Sequence, residues 1–370
     1  VKVPFMDLSD PSEEVRQELR TAVERVLNSG HYILGSEVSA LEQEVPAYCG
    51  TRFGVAVGNG TDALVLSLYA LGVGKGDEVI TSPFTFFATV EAILQVGAVP
   101  VFADVDPHTF TITAKTVEAR ITRRTKAILP VHIFGLMADM PGLLQLAKAY
   151  RLLILEDACQ AIGATWEGNG PGFYGNAATL SFFPTKNLGG CGDGGMILTQ
   201  DAGLAQRLRR LRVHGSVQKY VHEEVGWNSR LDEIQAALLR VKLRKLDEWT
   251  ERRRSLARRY DEGLRGLPLQ VPVTPEQVRH VYHLYTIVTE PRDALKAALA
   301  KQGIETQVYY PLPMHLQPAL RGLGYQPGDF PVAEHLAEHC LSLPLYPWLR
   351  TDHQDHVIES IRRFSANAES

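Results

Sequence analysis

Between residues 53 and 156 the hydrophobic pattern alternates between two periods, and that alternation limits the chain to few folds. Runs over 53–57, 78–82, 100–104, 126–132 and 152–156 are short and mostly apolar, which predicts strands buried on both faces. Stretches over 62–71, 89–96 and 141–150 are amphipathic at helical spacing and separate those runs. Strands with no solvent face need helices above and below them, so the pattern predicts an α/β fold with a mostly parallel sheet. Upstream, Asp10-Pro11 has the form of a helix start, Val15, Leu19, Val23 and Leu27 recur every fourth residue, and Ser29-Gly30 ends the helix.

The rhythm changes after Gly226. A charged helical tract over 231–264, a strand over 284–288, a helix over 293–302, the segment 305–309, a loop over 310–315 and a terminal helix over 352–364 read as a smaller α+β domain. The chain has 370 residues, beyond the roughly 250–300 that one core holds, so a large domain over 1–240 and a small one over 241–370 are expected. A formal net charge of −4 argues against a general nucleic-acid or membrane surface. Cys49, Cys159, Cys191 and Cys340 are widely spaced, which excludes a zinc finger and gives no disulfide framework; no metal is expected. With no targeting segment or membrane-length apolar run, the cytoplasm is the expected location.

Three features carry chemistry. Gly58-Asn59-Gly60-Thr61-Asp62-Ala63 follows a strand and opens a helix, where free backbone N–H groups suit a phosphate. A dinucleotide site also begins this way, but it wants an acid at the end of the next strand, and Asp77 and Glu78 stand before that strand. The run from Leu152 to Asp157 is a buried strand ending in a carboxylate, where ligands of open parallel sheets collect; a helix cap would look the same. Lys186 passes from the apolar run Ser181-Phe182-Phe183 into Asn187-Leu188-Gly189-Gly190, so its amine either sits in a pocket or is an ordinary loop lysine. Desolvation in a pocket favours the neutral amine that condenses with an aldehyde. A phosphate cradle, a strand-end aspartate and a loop lysine together match the needs of pyridoxal 5'-phosphate (PLP). Thr85-Phe86-Phe87 offers an aromatic plate for its ring, or a core phenylalanine.

Further motifs are Asn28-Ser29-Gly30 with Gly35, Glu156-Asp157-Ala158-Cys159-Gln160, Phe183-Pro184-Thr185-Lys186-Asn187-Leu188-Gly189 and Gly192-Asp193-Gly194-Gly195. Gly226-Trp227-Asn228-Ser229-Arg230-Leu231-Asp232 and His315-Leu316-Gln317-Pro318 complete the series. In these the chain resembles, over nearly its whole length, the DegT/DnrJ/StrS family of nucleotide-sugar aminotransferases, which have the type I aspartate-aminotransferase fold. The resemblance implies that Lys186 is the Schiff-base lysine, Asp157 the partner of the pyridine nitrogen and Gln160 the partner of the ring hydroxyl. It implies phosphate contacts from Gly60, Thr61 and Ser181, with Phe86 stacked on the ring. It also implies a homodimer with shared active sites, in which Asn228 reaches the neighbouring subunit's phosphate. Arg230, Tyr309, Tyr310 and His315 fall where the family contacts the sugar or its acidic groups.

Relatives that catalyse dehydration carry histidine at the lysine position, so Lys186 implies transamination, from glutamate to the oxo carbon of a nucleotide sugar. The runs Lys186–Gly189 and Gly192–Gly195 are more similar to relatives acting on 3-oxo sugars. Arg230 suits a carboxylate and hints at UDP-2-acetamido-2-deoxy-3-oxo-glucuronate; a diphosphate contact or the subunit interface explains it equally. A 4-oxo-6-deoxy nucleotide sugar is the alternative substrate. A non-catalytic regulatory protein that keeps the fold is the alternative of a different class.

Overall fold

The computed structural model describes residues 1–9 and 12–368. In chain order the first strands are β1 (Phe53–Val57), β2 (Glu78–Thr81), β3 (Val99–Phe102), β4 (Thr125–Leu129), β5 (Leu153–Asp157), a short β6 (Thr165–Trp166), β7 (Ala177–Ser181) and β8 (Gly195–Thr199). All but β6 form one sheet in the order β1-β8-β7-β5-β4-β2-β3. The pairs β3–β2, β2–β4, β4–β5 and β5–β7 are parallel, and β8 runs antiparallel to both β7 and β1. The reversal has a local cause. A parallel return needs a crossover, usually helical, whereas residues 182–194 form an irregular turn-around that sends the chain straight back. Lys186 lies in that turn-around.

Helices α1 (Glu13–Ser29) and α2 (Ser36–Cys49) precede β1, α3 (Gly60–Ala70) links β1 to β2, and α4 (Phe87–Gln95) links β2 to β3. The expected cap at Asp10-Pro11 lies outside the described residues; Ser12 is the N-cap and its hydroxyl accepts from Val15 N. The every-fourth-residue stripe is corrected as well. Val15, Ala22 and Val26 are the buried positions of α1, and Leu27 is 52% exposed. Steps of four overshoot a 3.6-residue turn by about 40° each, so the stripe drifts off the core face. The charged tract is two helices, Glu233–Leu243 and Leu246–Gly263.

A hairpin of β9 (Ser216–Gln218) and β10 (Val221–His222) precedes those two helices, and β11 (Leu269–Gln270) and β12 (Val278–Arg279) follow them. β12 pairs with β6, while β11, β13 (Tyr285–Thr289) and β14 (Cys340–Leu343) make a second sheet. Its core holds Tyr260, Tyr285, Ile287, Leu341, Leu343, Val357 and Ile361. Segments cross the expected division at 240/241 in both directions. Val3 joins the small core, donating to Gly303 O and accepting from Glu305 N, whereas Leu320, Phe330 and Leu336 pack into the large one.

Candidate active site

α3 begins where β1 ends, and its first turn is open. Asn59 caps it by accepting from Asp62 N at 2.8 Å. The N–H groups of Gly60 and Thr61 have no hydrogen-bond partner among the described residues. Two free donors at a helix N-terminus form an anion cradle. The cradle depends on glycine at 60, because a Cβ there would lie 2.9 Å from Ser181 Cβ and 3.0 Å from Cys159 Sγ. Ser229 fixes the entry, accepting from Gly58 N at 3.0 Å and donating to Asp62 Oδ2 at 2.6 Å.

β5 delivers Asp157 to the same place, buried at the strand's carboxyl end. Oδ2 accepts from Thr89 Oγ1 at 2.8 Å and Oδ1 from Cys159 N at 3.2 Å. Thr89 has one hydroxyl proton and gives it to Asp157, so Thr85, 2.8 Å away, donates to Thr89. Gln160 is held from both ends: Oε1 accepts from Phe134 N at 2.7 Å and Nε2 donates to Tyr310 OH at 3.0 Å. Burial pushes the Tyr310 phenol up, which keeps it protonated at neutral pH.

Lys186 stands on the loop between β7 and β8, closed at its base by Phe182 N to Gly194 O and Gly190 N to Phe182 O. The residue as a whole is half-buried, and its amine is desolvated. Burial pushes that amine below the ordinary lysine value, opposed by negative charge at Cys159 and Asp157. Burial and Asp157 push the Cys159 thiol well up, so at neutral pH the thiol is uncharged and Asp157 is the opposing group.

Gly60, Thr61, Phe86, Asp157, Gln160, Ser181, Lys186, Tyr309 and Tyr310 line one cavity of about 890 Å³. Phe86 is 58% exposed, with its ring 6.1 Å from that of Tyr310, so it stands at the mouth. Asn228 is exposed and Arg230 half-buried, and neither is on this wall. His315 is also off this wall: its ring is buried, with Nε2 3.0 Å from Glu334 Oε1 and Phe330 packed edge-on. There it braces the 310–315 loop against the helix Pro331–His339. Thr89 and His283 are among the wall residues that escaped sequence reasoning. Thr85 lies just before α4 and Thr89 in its first turn, a pairing that leaves no distinctive signal in the sequence; His283 lies 97 positions from Lys186 and leaves none either.

The chain fits PLP by its own atoms. The free N–H groups of Gly60 and Thr61 and the Ser181 hydroxyl suit the phosphate, Asp157 suits a pyridinium nitrogen, and Lys186 supplies the amine.

Residues 13–362 match the DegT/DnrJ/EryC1/StrS aminotransferase family. The chain is 50% identical to a pleiotropic regulatory protein of Geobacillus stearothermophilus, covering 98% of this chain and 99% of that one. It is 48% identical to a UDP-N-acetyl-3-dehydro-alpha-D-glucosamine 3-aminotransferase of Acidithiobacillus ferrooxidans, over 98% and 97% of the two chains. The crystal structure of DesV from S. venezuelae in complex with a ketimine intermediate superposes with a TM-score of 0.96, at 47% identity over 98% of each chain. Solved neighbours of the same fold include PLP and PMP forms. With its cradle, strand-end aspartate and loop lysine in one cavity, this chain belongs to the DegT/DnrJ/EryC1/StrS aminotransferase family and is a PLP-dependent aminotransferase.

Proposed function

We propose that the chain moves an amino group from L-glutamate to the 3-oxo carbon of a nucleotide-linked sugar, as a homodimer with shared active sites. The observation that carries the catalytic reading is that Lys186 lines the same cavity as Asp157 and Gln160. PLP, when bound, supplies an aldehyde for that amine and an electron sink for the electrons of a broken C–H bond. The chain's residues supply the rest. Lys186, biased by burial toward its neutral form, takes a proton from the amino donor as general base and returns it as general acid. Asp157, anchored by Thr89 and the Cys159 amide, gives a ring N–H a fixed acceptor. The Gly60–Thr61 cradle holds the far end, so the lysine acts on a fixed target.

The 3-oxo position is supported by the names of relatives at 48%, 47% and 41% identity, all 3-amino-sugar transaminases. A neutral sugar is favoured over a uronate, because Glu91 and Asp193 put carboxylates on the wall while Arg230 stands off it. The spare lysine chemistry and intact cradle favour an enzyme over a silent regulator. Mass spectrometry of products from 3-oxo and 4-oxo nucleotide sugars, with neutral and uronate members, tests this. A 3-amino neutral product is expected, and exclusive 4-amination would overturn it.

A further inference from the structure

His283 is a buried imidazole on the cavity wall, and the segment carrying it is fixed from both domains. On the large side, Val281 N donates to Gly135 O at 3.1 Å and Leu284 N to Phe134 O at 3.4 Å. On the small side, the Arg253 guanidinium donates to the carbonyls of Tyr282 (3.2 Å), His283 (3.5 Å) and Leu345 (2.9 Å). Gly135 cannot carry a side chain here, because a Cβ would sit 2.8 Å from Val281 Cγ2 and 2.9 Å from His283 N. The imidazole therefore has little freedom.

Its partner is the residue after the lysine. Asn187 is buried; its Nδ2 donates to Val281 O at 3.0 Å, which leaves Oδ1 facing His283 Nδ1 at 3.3 Å. An amide oxygen only accepts, so His283 carries its proton on Nδ1. Nε2 is then a bare acceptor, and no hydrogen bond satisfies it among the described residues. We propose that His283 is a positioning residue for transamination: through Asn187 it fixes where the Lys186 amine stands, and its Nε2 offers that amine an acceptor whenever it is free of the cofactor. Burial, with Lys186 and Arg253 nearby, pushes the imidazole well below its ordinary value. It thus meets the lysine as a neutral acceptor and does not repel it.

This rests on Lys186 being the cofactor lysine, and the test separates the two claims. PLP is mixed rapidly with the full-length, cofactor-free chain, and the absorbance of lysine-bound PLP near about 420 nm is followed. PMP, which cannot link to lysine, reports the affinity of the cradle alone. His283→Ala and Asn187→Ala are each expected to slow attachment by about tenfold, the scale of one buried hydrogen bond, with PMP affinity within about threefold of wild type. The double variant should be no slower than His283→Ala alone, since Asn187 acts only through His283. His283→Asn, whose amide can replace Nδ1–H, should recover most of the rate. Attachment at the wild-type rate in His283→Ala, a loss that tracks PMP affinity, or additive effects would overturn the clamp. Where His283→Ala fails to fold, Asn187→Ala decides by the same readings. An attachment band that survives in Lys186→Ala would instead overturn the reading of the lysine.

Discussion

Asp157 and Lys186 show how much a residue's meaning depends on its surroundings. Each alone has an ordinary explanation, a helix cap and a loop lysine; both gain a chemical one because β5 and the β7–β8 loop end at the same cavity. Strand-end position was legible, since a buried apolar run must end where its polar residue meets the site. The Thr85–Thr89–Asp157 relay was not, because a threonine on a helix face has no single meaning in sequence. Thr89→Val keeps the shape and removes the donor to Oδ2. It is expected to lower kcat/KM by about tenfold, or up to a hundredfold, as for hydrogen bonds to charged groups, with the melting temperature nearly unchanged. Steady-state kinetics beside a thermal melt check this; unchanged kcat/KM would remove Thr89 from the machinery.

At the scale of elements, β2, β3, β4 and β5 were legible because they are short, mostly apolar runs, whereas β7, Ala177-Ala178-Thr179-Leu180-Ser181, carries no such run and was not expected. α2 was not expected. It has glycine at its N-cap and Pro46 inside it, so local capping rules say little about where it starts. Its start is fixed from almost two hundred positions away, where the carboxylate of Glu233 accepts from Gly35 N (2.8 Å), Glu37 N (2.9 Å) and Val38 N (2.8 Å). Glu233→Ala leaves three donors without their partner at a buried helix end, and it should cost about 2–4 kcal/mol of stability. A urea denaturation midpoint unchanged by the substitution would show that the cap contributes little. The α1 stripe makes the same point differently: regular spacing in sequence identified the helix but misplaced its buried face.

At the scale of the molecule, length and the change of rhythm led to the expectation of a large and a small unit, but gave no sign that Val3 and the 314–340 segment pack into cores across that expected division. Such crossings depend on long-range packing that leaves no local pattern. The proposed shared site makes a stoichiometric prediction. Asn228 is exposed and off its own chain's cavity wall, as a residue serving the neighbouring subunit would be. Lys186→Ala and Asn228→Ala homodimers should each be impaired, yet equal mixing after dissociation should restore about a quarter of wild-type activity, because half the dimers are hybrids with one intact site. No recovery would place both residues in one chain's site.

The central claim is that the Lys186 amine both holds PLP and moves the proton of transamination. Absorbance spectra of the wild type and Lys186→Ala, each loaded with PLP and then given glutamate, test it most directly. The account predicts a wild-type band near about 410–430 nm that shifts to about 330 nm with glutamate as the cofactor is aminated, and a Lys186→Ala protein that binds PLP without that band or shift. A Lys186→Ala protein that keeps the lysine-bound band, or converts the cofactor with glutamate at the wild-type rate, would contradict it.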